Sequence, residues 1–130
     1  MILILFLWGV AVPFFFDFNI GAGMFDLYRD NDTNNYDIVD FFNFILFGYF
    51  NYFFIYLYDS LKITKRSHIF YNLVCSIFAV GFEKLMVLNG IFTYQNGYTI
   101  FYSFTIYLYM NSITLLLYEW VKSKCNIFYT

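Results

Sequence analysis

Four apolar runs separated by short polar connections constrain the fold of this chain more than any other feature. They cover residues 2–20, 39–58, 69–88 and 99–120, and each is about 19–22 residues long. At a rise of 1.5 Å per residue, a helix needs about 20 apolar residues to cross the roughly 30 Å hydrocarbon core of a bilayer. The sequence therefore predicts an all-α integral membrane bundle of about four transmembrane helices, which form a single transmembrane helical domain over residues 1–130.

The composition indicates that lipid, rather than water, is the main solvent of the chain. Hydrophobic residues make up 62% of it and charged residues only 12%, about half the charged share of a typical soluble domain. A membrane barrel is disfavoured, because its strands alternate polar and apolar residues over stretches of about ten. The apolar triplets at 53–55 and 115–117 do not alternate.

The distribution of basic residues predicts the orientation of the helices. Five of the seven lysines and arginines lie in the connection 59–68 or in the tail after Trp120. Cytoplasmic loops of membrane proteins carry an excess of Lys and Arg, so both basic segments and both termini are predicted to be cytoplasmic. The connections 21–37 and 89–98 are then predicted to lie outside, and the first of them holds four aspartates: Asp26, Asp30, Asp32 and Asp37.

Several classes of function find no support in the residues. The net charge is −2 and the basic stretch Lys62 to Arg66 is short, whereas nucleic-acid binding needs a basic stripe. Cys75, Cys125 and the single His68 form no metal-binding spacing and no pair of axial haem ligands. We therefore expect no nucleic-acid partner, cofactor, metal site or enzymatic activity, and we assign no catalytic residue.

Polar side chains inside the apolar runs form the candidate site. Glu83 lies about five residues from the predicted outer end of the third run. An ionisable group within a span costs several kcal/mol and usually faces the bundle interior. Side chains at a similar depth on the four helices define a candidate intramembrane polar layer: Asp17, Asn43, Glu83, Ser103 and Tyr107.

Two polar stripes with helical spacing predict how the third and fourth helices face each other. One contains Asn72, Ser76, Ala79 and Glu83, and the other contains Ser103, Tyr107, Asn111, Thr114 and Tyr118. If these groups bond each other and hold the bundle together, the chain is a structural or partner-binding membrane component. Its partners are then the bilayer and a second copy or another membrane protein. If they line a cavity, the chain is a small proton, cation or solute transporter or channel subunit that uses an intramembrane carboxylate.

Short motifs spread over most of the chain carry a family resemblance. They are Trp8-Gly9 with Pro13, Asp17 to Gly23, Asp26 to Arg29, Phe54 to Tyr58, Phe82-Glu83, Phe92 to Tyr94, Asn96-Gly97, and Tyr102 to Phe104 with Tyr107. In these motifs the chain resembles a group of small uncharacterised multi-pass membrane proteins of Bacillus-like Firmicutes. The resemblance implies a location in the bacterial plasma membrane and implies no catalytic residue.

Overall fold

The computed structural model of the protein contains four helices and two short strands, and it describes residues 2–19, 25–30, 38–64 and 66–127. In chain order the elements are α1 (Ile2–Asn19), β1 (Tyr28–Asp30), α2 (Ile38–Ser60), α3 (His68–Leu88), β2 (Phe92–Tyr94) and α4 (Ile100–Ile127). The predicted all-α class with four helices is confirmed. Helix α4 continues seven residues past the predicted end at Trp120, because backbone hydrogen bonding does not require the last turns to be apolar.

Three helices are long and apolar enough to cross a membrane, over Phe41–Ser60, His68–Leu88 and Ile100–Lys124. Helix α1 is shorter, with 18 residues and a length of about 27 Å at 1.5 Å per residue. The apolar stretch found within it is Leu3–Phe16. By length and composition, three spans are therefore compatible with membrane insertion, and α1 is the one helix of the described chain that falls slightly short.

The outer surface of the helices is apolar. Large side chains that project from α3 and α4 include Ile69, Leu116 and Phe101, which are 73%, 71% and 79% exposed. An apolar surface that covers whole helices is unusual for a soluble monomer, whereas lipid tails solvate it without cost. The exterior thus fits the membrane predicted from composition.

Two glycines allow α1 and α2 to approach closely. A Cβ atom on Gly9 would lie 2.5 Å from Cβ of Asn51, and one on Gly48 would lie 2.8 Å from Cγ2 of Val10. Small residues at such positions let helix backbones pack together in a bilayer. Asn51 also donates its Nδ2 to the Leu5 carbonyl oxygen at 2.7 Å, which ties the two helices at the same level.

The best-packed core lies at the end of the bundle that carries the 61–67 connection, which we call the basic end. All four helices contribute to it, through Leu5, Phe54, Ile55, Tyr58, Tyr71, Leu115 and Tyr118. The Tyr71 hydroxyl donates to the Phe54 carbonyl oxygen at 2.5 Å. A buried tyrosine needs such an acceptor, because a buried hydroxyl without a partner is costly.

The opposite end carries a small lid that the sequence did not predict. Strands β1 and β2 pair antiparallel, with Tyr28 opposite Tyr94 and Arg29 opposite Thr93. The Gln95 amide extends the pairing with a 2.8 Å bond to the Leu27 carbonyl oxygen. We use the name lid for β1, β2 and residues 95–99. Because it joins the α1–α2 and α3–α4 connections, both connections lie at one end of the bundle, the lid end.

Candidate functional site

One carboxyl oxygen joins three elements at the lid end. Glu83, on α3, is only 9% exposed. Its Oε1 accepts hydrogen bonds from the Tyr94 hydroxyl on β2 at 2.6 Å and from the Ser103 hydroxyl on α4 at 2.5 Å. The bond from Ser103 joins α3 to α4, and the bond from Tyr94 joins α3 to β2.

Two further tyrosines complete the surroundings of this carboxyl group. The Tyr98 hydroxyl lies 3.0 Å from Oγ of Ser103. Because Ser103 uses its single proton toward Glu83, Tyr98 is the donor in that pair. The Tyr107 side chain, one helical turn beyond Ser103, also lies beside Glu83 and interacts with its carboxyl group. We call these five residues the Glu83 cluster.

The lid tyrosines remain hydrogen-bond donors at neutral pH. Burial, followed by the hydrogen bond to Glu83 and the Glu83 charge, raises the pKa of the Tyr94 hydroxyl above its ordinary value. Burial and the Glu83 charge also raise the pKa of Tyr98, against an opposing effect of its bond to Ser103. Both effects disfavour a phenolate beside a buried carboxyl group. Each hydroxyl therefore keeps the proton that it donates.

Ring contacts pack the lid onto the cluster. The Tyr98 ring, in a side chain only 9% exposed, lies 5.6 Å from Tyr28, 5.3 Å from Tyr94 and 5.7 Å from Tyr102, measured between centroids. These separations lie within the range of favourable aromatic pairs. Both strands of the lid are thus anchored to the same buried ring.

A second polar group lies deeper between α3 and α4, and we call it the seam network. The Asn72 side chain donates to Oγ of Ser112 at 2.7 Å and accepts from Ser76 at 3.3 Å. Asn111 donates to Oγ of Ser76 at 3.1 Å. The predicted stripes on the two helices therefore face each other at this level. Farther along α4, Thr114 instead accepts a bond from the Trp8 indole of α1 at 3.0 Å.

A third polar group ties α2 to α4 at the basic end. Oδ1 of Asp59 accepts hydrogen bonds from the Tyr118 hydroxyl at 2.6 Å and from Nζ of Lys122 at 2.5 Å. One residue away on each helix, the Tyr58 hydroxyl donates to Oε1 of Glu119 at 3.1 Å. Asp59 and Glu119 therefore both accept hydrogen bonds that join α2 to α4.

The structure brings together three of the five residues proposed for the polar layer. Ser103 and Tyr107 lie beside Glu83, as described above. Asn43 is not bonded to Glu83, and its Nδ2 atom is buried without a hydrogen-bond partner in the part of the chain that the structure describes. The side chain of Asp17 lies outside the described residues. The layer as a functional unit stays a prediction.

Sequence reasoning does not find the contribution of Tyr94 and Tyr98, because both lie in the connection 89–98, outside the apolar runs that supply the candidate residues. A signal was present: the β-prone triplet Phe92 to Tyr94 lies between Asn89-Gly90 and Asn96-Gly97, a pattern typical of a short strand bounded by turns. Gly90 and Gly97 both have the left-handed backbone conformation, with φ of 73° and 81°, which glycine adopts readily.

The chemistry available at the Glu83 cluster is one carboxyl group with neutral hydroxyl donors. Among the described residues, no group of three or more His, Cys, Asp or Glu side chains could hold a metal ion. The arrangement can join elements through hydrogen bonds or hold a proton. Comparison of the chain with protein-family models, curated proteins and solved structures finds no match.

Proposed function

We propose that this chain is a structural or partner-binding component of a membrane and has no catalytic role. The observation that carries the proposal is that Glu83, the carboxyl group buried between α3 and α4, is used to join three elements of the chain itself. The seam network uses its polar groups in the same way. Interhelical hydrogen bonds of this kind stabilise membrane bundles, since lipid provides no hydrophobic force between helices.

The lid supports the partner-binding side of the proposal. Two large apolar side chains that precede its strands in the chain are exposed, Phe25 at 61% and Ile91 at 38%, on segments outside the candidate spans. Exposed apolar side chains outside the hydrocarbon region favour contact with another protein. The partner is a second copy of the chain or another membrane protein that covers this face of the lid.

Copurification tests this proposal. A tagged chain extracted in a mild detergent is expected to elute as a complex, and Phe25→Ser with Ile91→Ser is expected to reduce that complex at least several-fold. Leu61→Ser is the matched control, because Leu61 is also 61% exposed but lies at the basic end. Elution of the wild-type chain as a lone monomer contradicts partner binding.

The proposal also includes a location and an orientation in the membrane. We place the chain in the bacterial plasma membrane with both termini in the cytoplasm and the lid outside, as the basic residues and the family resemblance predict. In a variant with Cys75 and Cys125 replaced by alanine, a membrane-impermeant maleimide is expected to label Thr93→Cys in intact cells and Lys62→Cys only after lysis. Both positions are exposed, and the opposite labelling pattern overturns the orientation.

A small proton, cation or solute transporter or channel subunit is the second candidate. The observation that favours it is that the Glu83 cluster and the seam network follow one another along the same pair of helices. A polar path of this kind is typical of transport proteins. Proton or cation flux into liposomes, abolished by Glu83→Gln, supports this candidate, whereas pure protein without flux under any gradient excludes it.

A further inference from the structure

Charge is distributed unevenly between the two ends of the bundle. The basic end carries four of the described basic residues, namely Lys62, Arg66, Lys122 and Lys124, and two of the described acidic residues, Asp59 and Glu119. Clusters of four to eight lysines and arginines next to a membrane-spanning helix are typical of contact with anionic lipid. The number of basic residues here falls within that range.

The contacts at this end leave most of its positive charge available. Asp59 is neutralised by Lys122, and Glu119 accepts a bond from Tyr58. The side chains of Lys62, Arg66 and Lys124 are exposed, and no ion pair of theirs occurs among the residues that the structure describes. These three cations outnumber Glu119, which has no cationic partner among the described residues, so the unpaired charge at this end is positive on balance.

The same contacts place Lys62 and Lys124 at the same end of the bundle. The bond between Asp59 and Lys122 joins the ends of α2 and α4. Lys62 follows Asp59 by three residues, and Lys124 follows Lys122 by two. The backbone of Lys62 is held in a left-handed conformation with φ of 50°, and its amide bonds the Asp59 carbonyl oxygen at 3.1 Å.

Exposed apolar side chains lie within four residues of these three cations in the chain. Leu61, Phe70 and Trp120 are 61%, 72% and 61% exposed. Tryptophan is enriched where the hydrocarbon core meets the headgroups. A cationic rim with apolar side chains beside it matches a ligand that has an anionic head and acyl chains.

We propose that the basic end binds the headgroups of anionic phospholipids. Lys62, Arg66 and Lys124 bind the lipid phosphate, and the acyl chains lie on the apolar side chains of α3 and α4 beside them. Long basic side chains near helix ends can extend to the headgroup level while their stems contact apolar surface. This proposal holds for a structural component and for a transporter alike.

Lipid binding to the detergent-solubilised chain tests the proposal directly. By native mass spectrometry, the wild-type chain is expected to retain phosphatidylglycerol in preference to phosphatidylcholine. The triple variant Lys62→Gln, Arg66→Gln and Lys124→Gln is expected to lose that preference at least tenfold, since each basic residue near an anionic surface contributes about fivefold. Lys84→Gln is the matched control, because Lys84 is also exposed but follows Glu83 near the lid end.

Two further measurements test the proposal with a single substitution and with a soluble phosphate. Arg66→Gln alone, which changes one exposed side chain, is expected to lower the preference about fivefold without altering the elution volume of the chain. Added glycerol phosphate is expected not to displace the bound lipid. Equal retention of the two lipids by the wild-type chain, an unchanged preference in the triple variant, or displacement by glycerol phosphate overturns the proposal.

Discussion

At each end of the bundle a carboxyl group joins α4 to another element, but the hydrogen-bond donors differ. At the lid end, Glu83 accepts hydrogen bonds from a tyrosine and a serine. At the basic end, Asp59 accepts them from a tyrosine and a lysine. Each carboxyl group joins α4 to another element through a single oxygen atom, so the arrangements differ mainly in the second donor and in exposure.

Exposure accounts for the choice of donor. Glu83 is 9% exposed, and a buried ion pair there would require the desolvation of a second charge, a cost that often exceeds the Coulombic gain. Neutral hydroxyls supply hydrogen bonds without that cost. The side chains of Asp59 and Lys122 are 54% and 42% exposed, so solvent still stabilises both charges, and such pairs contribute little. The buried carboxyl group therefore contributes more to the packing of the bundle than the exposed one.

Replacement of Glu83 is expected to give the largest effect. Glu83→Leu leaves the hydroxyls of Tyr94 and Ser103 without their acceptor, and buried unsatisfied donors cost about 1–3 kcal/mol. We expect a loss of about 2 kcal/mol in the free energy of unfolding in detergent, with insertion unaffected because the span becomes more apolar.

Glu83→Gln separates the hydrogen bonds from the carboxyl charge. Its amide oxygen can still accept hydrogen bonds from both hydroxyls. The Glu83→Gln variant is therefore expected to keep more than half of the stability that Glu83→Leu loses. Lys84→Leu serves as a control for the added apolar surface, because Lys84 is exposed. If Glu83→Leu is as stable as the wild type, the cluster does not hold α3, α4 and the lid together.

Removal of the Tyr94 hydroxyl is expected to give an intermediate effect that is confined to the lid. Tyr94→Phe keeps the ring contact with Tyr98 and removes one hydrogen bond, which is worth about 1 kcal/mol. Amide hydrogen exchange is expected to rise about fivefold in β1 and β2 and to remain unchanged in the middle of α3. Tyr102→Phe, at a side chain that is 59% exposed, is the control, and equal exchange in both variants would contradict an anchoring role for Tyr94.

The helices and the α3–α4 contact could be predicted from sequence because both depend on local properties. The length of an apolar run predicts a span, and residues such as Asn72 and Ser76, four apart, lie on one face of any α-helix. The bonds from Asn72 to Ser112 and from Asn111 to Ser76 show that these faces meet.

The position of a residue along a helix predicts its depth in the membrane but not which neighbouring helix its side chain faces. For this reason several contacts could not be predicted from the sequence. The residue count predicts a similar depth for Asn43 and Glu83. The rotation of Asn43 about the axis of α2 depends on packing between helices, and the two side chains are not bonded. Thr114 belongs to the α4 stripe but accepts a bond from Trp8 of α1, and its position along α4 does not show which neighbouring helix it meets. The pairing of Tyr28 with Tyr94 joins distant segments and leaves no periodic signal.

The smallest effect is expected at the exposed carboxylate, and it depends on the salt concentration. Asp59→Asn keeps an acceptor for Tyr118 but removes the ion pair with Lys122, so we expect a loss of about 0.5 kcal/mol at low ionic strength. At 1 M salt the Debye length is about 3 Å, and the difference from the wild type is expected to vanish. The loss caused by Glu83→Leu is expected to persist at the same salt concentration, because a hydrogen-bonded group that is 9% exposed is screened far less. Chemical unfolding in detergent with urea, at low and high salt, measures both losses. A larger loss for Asp59→Asn than for Glu83→Leu would reverse the ranking of the two ends.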